Sequence, residues 1–157
     1  MKIDIYTDGS SRGNPGPGGY GIIMRVAGTD YEKTFSKGFR LTTNNRMELL
    51  AVIVALEKLK TSGHEVHIYS DSKYVVDAVE KGWLLGWVKK NFDGKKNPDL
   101  WMRYLRAAKH QHVAFHWIKG HNEHPENERC DAMAVEAATA PLKTLAADTA
   151  FETENAK

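Results

Sequence analysis

The sequence predicts an α/β domain: a five-stranded mixed sheet, with three antiparallel strands followed by parallel ones, and helices packed on it. Three observations carry this. The first forty residues alternate apolar and polar positions between glycine-rich and turn sequences, which is the pattern of strands and hairpins. From residue 43 onward, segments of helical spacing separate two further alternating runs, the order of a strand–helix–strand passage. The chain has 157 residues, 41% hydrophobic and 27% charged, the size and make-up of one soluble domain with its own core.

Residues 2–8 alternate, with Ile3, Ile5 and Thr7 on one side and Asp4, Tyr6 and Asp8 on the other. The stretch RGNPGPGGYG that follows excludes helix. YGIIMRV and YEKTFSKGF then read as an antiparallel hairpin joined through Ala27-Gly28-Thr29-Asp30. Leu49, Ile53, Leu56 and Leu59 set a helical spacing over 43–60, with Thr42, Thr43, Asn44 and Asn45 as caps and Gly63 as its close. Residues 65–71 alternate again, and a helix over 72–81 ends near Gly82. After GWLLGWVKKNFDGKKNPDLW, Asn97-Pro98 starts a helix over 99–109. Residues 112–119 form a fifth strand, which the chain joins to the fourth by a right-handed connection if the two are parallel. GHNEHPENE is a loop into a last helix over 125–138, which Pro141 ends. The tail 141–157 has no period and is expected to be loosely held, leaving one domain over 1–140.

Several classes are excluded. No apolar run approaches the roughly 18 residues a membrane span needs, and Met-Lys-Ile-Asp lacks a signal-peptide core. Cys130 is the only cysteine, which rules out an internal disulfide and fits a reducing compartment. The expected location is the cytoplasm and the expected state a monomer. A net charge of +2 names no partner, so the distribution of charge must.

IYTD (5–8) and IYSD (68–71) each end an alternating run on an aspartate that shares a face with a tyrosine. If those strands are neighbours, about 4.8 Å apart, the two carboxylates stand side by side. At about 5 Å they repel by roughly 3 kcal/mol at an effective dielectric of 20, so the pair needs a cation or a shared proton. Glu48 in the first helix and Asp131 in the last complete a set of four acids. All-oxygen ligands favour hard cations such as Mg²⁺, and two ions about 3.5–4 Å apart suit in-line displacement at phosphorus. Each acid also has a local explanation: Asp8-Gly9 as a turn pair, Glu48 as a capping-box acid three after Asn45, Asp71 as a helix cap, Asp131 as a solvent-facing helical acid. Spacing alone does not decide between them.

The motifs DGSSRGNPGPGGYG, TTNNRMEL, IYSDSKYV and WIKGHNEHPENERCD, in that order with a tryptophan–lysine segment between, resemble bacterial type 1 ribonucleases H, the ribonuclease HI family. The resemblance spans roughly residues 1–140. It implies the ribonuclease H-like fold and hydrolysis of the RNA strand of RNA–DNA hybrids, leaving 3′-hydroxyl and 5′-phosphate ends. It further implies that Asp8, Glu48, Asp71 and Asp131 hold two Mg²⁺ ions, with Mn²⁺ as an alternative, and that Asp8 bridges both. His121 matches the family's loop histidine, which assists proton transfer or product departure, chemistry open to an imidazole beside a phosphate. A zinc site from His121, His124 and Cys130 is disfavoured, because there is a single soft ligand and no second cysteine pair.

A hybrid-specific enzyme must sense the ribose 2′-hydroxyl, and amides both donate to and accept from it. Asn14, Asn44 and Asn45 match family positions on the RNA strand, and Thr43 with the helix start suits a phosphate. Asn and Gly are also what turns and caps use. Between residues 81 and 97 five lysines against one aspartate leave a net +4, more than the chain's +2. Lys89, Lys90, Lys95 and Lys96 interleave with Trp83, Trp87 and Phe92, a combination that grips phosphates and packs on sugars or bases. It resembles the basic protrusion that holds the DNA strand. Trp83 and Trp87, four apart, also suit a core, and at least one is expected there.

Three departures concern strand contacts rather than the reaction. Lys73, a further substrate-contact candidate, stands where glutamine is frequent, the first loop carries Ser11-Arg12, and Phe92 replaces an expected tryptophan in a slightly shortened basic segment. The alternatives are a DNA nuclease of the same fold, against which the three asparagines speak, and a hybrid-binding module without catalysis, against which the four acids speak.

Overall fold

The structure, a computed structural model, describes residues 1–120 and 124–156. The alternating runs are strands: Lys2–Ser11 (β1), Gly16–Val26 (β2), Glu32–Thr42 (β3), Glu65–Ser70 (β4) and His112–Trp117 (β5). They form one sheet in the order β3-β2-β1-β4-β5. The β1–β2 and β2–β3 pairs are antiparallel; β1–β4 and β4–β5 are parallel. The expected mixed sheet is therefore the observed one.

The helices are Asn44–Glu57 (α1), Lys73–Glu80 (α2), Trp83–Lys89 (α3), Pro98–Ala108 (α4), Pro125–Ala138 (α5) and Thr149–Asn155 (α6). Thr43 caps α1 by accepting from the Arg46 N–H at 3.2 Å, and Ser72 caps α2 by accepting from Val75 at 3.3 Å. The helix expected over 43–60 thus begins one residue later, because its first residue is the cap, and ends at Glu57.

The glycine-rich stretch is strand from Gly16 onward, and its glycines answer to both faces. Neighbouring strand residues point to opposite sides of a sheet. A Cβ on Gly18 would meet Met47 of α1, whereas one on Gly19 would meet Ala134 and Ala138 of α5. So α1 and α5 lie on opposite faces, and α5 comes down onto the backbone of β2 only because those positions carry no side chain. Ile5, Ile22 and Ile68 of the sheet and Leu49 and Ile53 of α1 are fully buried in one core. Among the described residues no helix is long and apolar enough to cross a membrane.

Two segments differ from expectation. The tryptophan–lysine stretch contains a short helix, α3, between left-handed turns: Gly82 before it, then Asn91, Phe92, Gly94 and Asn97 after it. Gly86 in its middle and the lack of a side-chain cap hide it from propensity. The tail expected to be loosely held is tied down in the structure. Ala146 pairs with β3, donating to Gly38 O at 3.0 Å and accepting from the Arg40 N–H at 2.9 Å. Glu152 of α6 accepts three hydrogen bonds from Arg40. Asp148, 8% exposed, accepts from Thr42 Oγ1 at 2.7 Å and from the Arg46 guanidinium at 2.7 and 2.9 Å.

Candidate active site

Tyr6 and Tyr69 are register partners on the parallel strands β1 and β4, and their rings stack at 4.9 Å with planes 17° apart. Two residues further along each strand, on the same face, stand Asp8 and Asp71. Glu48, in the second turn of α1, reaches them from above the strand end. The Gly9 N–H donates to Glu48 Oε1 and also lies 3.0 Å from Asp8 Oδ1. A side chain on Gly9 would collide with the backbone of Met47 and Glu48, so the helix settles this low only over a glycine. One oxygen each of Asp8, Glu48 and Asp71 lie within 4.8 Å of one another.

Asp71 is held from two further sides. Its carbonyl accepts from the Trp117 indole N–H at 3.1 Å, and Gly120 packs so close that a Cβ there would stand 2.6 Å from Oδ2. The Lys73 ammonium lies over the same indole at 4.7 Å, which places this residue on the Asp71 flank of the site. Asp131, in α5, is outside the three-oxygen cluster but near enough to act on Asp8 by charge and hydrogen bond. His121 lies outside the described residues.

Asp8 and Glu48 are each 5% exposed. Burial first, then the Asp71 charge, pushes the Asp8 carboxyl up to about 8, with Asp131 adding to the rise and the Glu48 hydrogen bond opposing it. Glu48 is raised well above the ordinary carboxylate range by burial and by its two acidic neighbours, against the pull of the Gly9 N–H. Among the described residues no basic side chain forms an ion pair with Asp8, Glu48 or Asp71. Buried acids that resist ionisation this strongly, without a basic partner, fit a multivalent cation, and an all-oxygen set fits a hard one. Cys130 does not join them. Its thiol, pushed up to about 12 chiefly by burial, donates to the Tyr6 carbonyl at 3.3 Å and stays protonated.

The candidate substrate residues divide. The Asn44 N–H donates to Asn14 Oδ1 at 3.1 Å, tying the first loop to the start of α1. Asn14, Thr43 and Asn45 then line a cavity of about 400 Å³. Trp83, Trp87, Lys95 and Lys96 line it as well. Trp87 is half-buried, edge-on to the fully buried Trp101 at 5.8 Å, while Trp83 is 48% exposed, so one tryptophan serves the core and the other faces outward. Lys95 sits over Trp87 at 5.3 Å. Lys89 and Lys90, at the end of α3, are exposed and do not border this cavity.

Sequence reasoning passed over Trp117 and Arg46, and it offered Gly9 only as half of a turn pair, whereas Gly9 lies inside β1. Arg46 had a legible signal: it lies on the stripe of Leu49, Ile53 and Leu56, where a charge demands partners. Only 3% exposed, it is clamped by Asp99 and Asp148 and also donates to Asn97 Oδ1 at 3.2 Å. This clamp fixes the beginning of α1, and with it Thr43, Asn45 and Glu48.

Comparison with known proteins gives one consistent result. The family model described as RNase H matches residues 1–139. The chain is 53% identical over 145 residues to Ribonuclease H of Desulforamulus reducens, covering 89% of each chain. It is 50% identical over 144 residues to Ribonuclease HI of Helicobacter pylori, covering 92% of this chain and 98% of that one. Among solved structures it resembles LC9-RNase H1, a type 1 RNase H with the type 2 active-site motif, with TM-score 0.77 and 31% identity over 87% of this chain and 72% of that one. It also resembles LC11-RNase H1 in complex with an RNA/DNA hybrid, with TM-score 0.61 and 28% identity over 87% of this chain and 96% of that one.

Proposed function

The chain belongs to the RNase H family, and from that premise we propose that it cuts the RNA strand of RNA–DNA hybrids at the acid cluster, leaving 3′-hydroxyl and 5′-phosphate ends. The observation that carries this is the convergence of Asp8, Glu48 and Asp71 oxygens within 4.8 Å where the pairing of two parallel strands ends. Asp8, Glu48, Asp71 and Asp131 are the residues that would hold two divalent ions, Mg²⁺ by the hardness of the donor set, with Mn²⁺ as the alternative. Such ions, when bound, supply a water of lowered pKa and neutralise charge on the leaving oxygen.

The chain's own residues do the rest. Glu48 and Asp8 stay ionised only when compensated, so the site is set to bind cations and phosphate together. The Gly9 N–H and the Trp117 indole hold Glu48 and Asp71 in place, so little reorganisation is left for turnover. Asn14, Asn44 and Asn45, fixed to one another at the head of α1, present amides to ribose hydroxyls, and Thr43 offers a hydroxyl to phosphate. Lys89, Lys90, Lys95 and Lys96 with Trp83 and Trp87 take the DNA strand, and Lys73 meets the backbone on the Asp71 side. His121 is assigned proton transfer or product departure.

The test uses an end-labelled hybrid, the matching DNA duplex and the matching RNA duplex, each with Mg²⁺ or with chelator. Cleavage of the hybrid that disappears in chelator is the expected result. Cutting of the DNA duplex alone, or tight hybrid binding with no cleavage under any metal, would sink the proposal.

A further inference from the structure

The C-terminal segment enters the substrate groove. Phe151, on α6, borders the cavity of about 400 Å³ that also holds Trp83, Trp87, Lys95 and Lys96. Together with Lys95, Lys96 and Asn97 it also borders a second cavity of about 580 Å³, so its half-buried ring stands with the two lysines between the two cavities. The ring is seated on a rigid floor. The Arg46 guanidinium carbon lies 5.8 Å from its centroid, and Arg46 is itself clamped by Asp99 and Asp148. Three residues around it, Ala146, Asp148 and Glu152, are tied to β3 and α1 by the hydrogen bonds described above.

We propose that Phe151 is a specificity-determining contact for the DNA strand, packing its ring against a deoxyribose beside Lys95 and Lys96. This rests on the proposed hybrid-cleaving function and extends it to a residue beyond the region that the family model matches. The chemistry favours the DNA strand over the RNA strand. The lysines that line both cavities with Phe151 supply phosphate neutralisation, and the C2′ methylene of a deoxyribose is apolar. A ribose pressed against the ring would bury a 2′-hydroxyl without a partner there, which is costly. The RNA strand instead belongs to the amides of Asn14 and Asn45, which line the same cavity.

Phe151→Ala, Phe151→Leu and Phe151→Tyr are compared with the parent chain by steady-state cleavage of a hybrid, with thermal melting recorded for each. Leu keeps apolar packing against Arg46 and so covers the case in which Ala fails to fold. The expected result is a KM raised about fivefold or more for Ala and Leu, with kcat within about twofold, and restoration by Tyr. A second measurement places single ribonucleotides along the DNA strand. The parent chain should lose affinity at one position, and Leu should lose that sensitivity. Unchanged KM in Leu would overturn the proposal. So would a fall in kcat at constant KM, because the ring would then only support Arg46 and the start of α1. A parent chain that leaves hybrid uncut refutes the hybrid-cleaving function itself, which is a different result from either.

Discussion

The acid cluster and the lysine–tryptophan segment hold their charges in opposite ways. Where the parallel pairing of β1 and β4 ends, three carboxylates are gathered within 4.8 Å of one another, two of them 5% exposed, and their mutual repulsion is left standing. Between Lys81 and Asn97, five lysines and a single aspartate are spread over a short helix and left-handed turns, mostly in solvent. The first region concentrates electrostatic strain at a point where a cation relieves it. The second keeps each charge hydrated and weakly coupled, so that binding is shared among many side chains. One lost group should therefore be decisive in the first region and minor in the second.

The largest expected effect tests the first half of that statement. Asp8→Asn should lower kcat on hybrid by at least about a thousandfold, the scale of removing a group that acts on the reacting centre. Its folded far-UV and near-UV circular dichroism should be unchanged. Activity within tenfold of the parent chain would remove Asp8 from the metal site.

Next in size is the clamp that fixes α1 between the two regions. Arg46→Ala strands the Asp148 carboxylate in a site only 8% exposed, and the Asp99 carboxylate beside it. Breaking a buried pair from one side costs about 3–5 kcal/mol. Urea unfolding should show a loss of that order, and a loss under 1 kcal/mol would mean that the clamp relaxes into water.

A pH experiment probes the stored repulsion directly. The folded Asp8 carboxyl, raised to about 8, binds its proton more tightly than in the unfolded chain, and Glu48 shifts the same way. This contribution to stability is complete below the unfolded value near 4 and is lost as pH rises through the folded one. Metal-free protein should therefore gain stability from these groups on going from pH 8.5 to pH 5.5, and Asp8→Asn should flatten the difference. A difference of the same size in Asp8→Asn would place its source elsewhere.

The smallest effects belong to the lysines. Replacing Lys89, Lys90, Lys95 and Lys96 together should weaken hybrid binding and reduce the slope of log K against log salt by up to about 3. Each single replacement should change it by no more than about 1. Lys95 and Lys96, which line the cavity, should matter more than Lys89 and Lys90, which do not. Equal effects from all four would show that only total charge counts.

Alternation of residues 2–8 and 65–71 and the helical spacing after Thr43 sufficed to foresee the mixed sheet, and the tyrosine two before each aspartate made Asp8 and Asp71 partners on the condition that their strands were neighbours. These are local periods, and a buried face imposes them on the sequence wherever it occurs. Sequence could not tell that Gly9 lets Glu48 down onto the strand end, that Trp117 holds the Asp71 carbonyl, or that Asp148 returns over a hundred residues later to clamp Arg46. Those contacts depend on where separate elements meet, and no local period encodes a distance between them. For the same reason the tail looked unstructured: its order comes from bonds to β3 and α1, whose partners are far away in the chain. The sequence by itself determined the five strands, four of the helices and which acids to suspect. The tertiary structure decided that three of those acids share one point, because only packing brings distant carboxylates close enough for their repulsion to call for a cation.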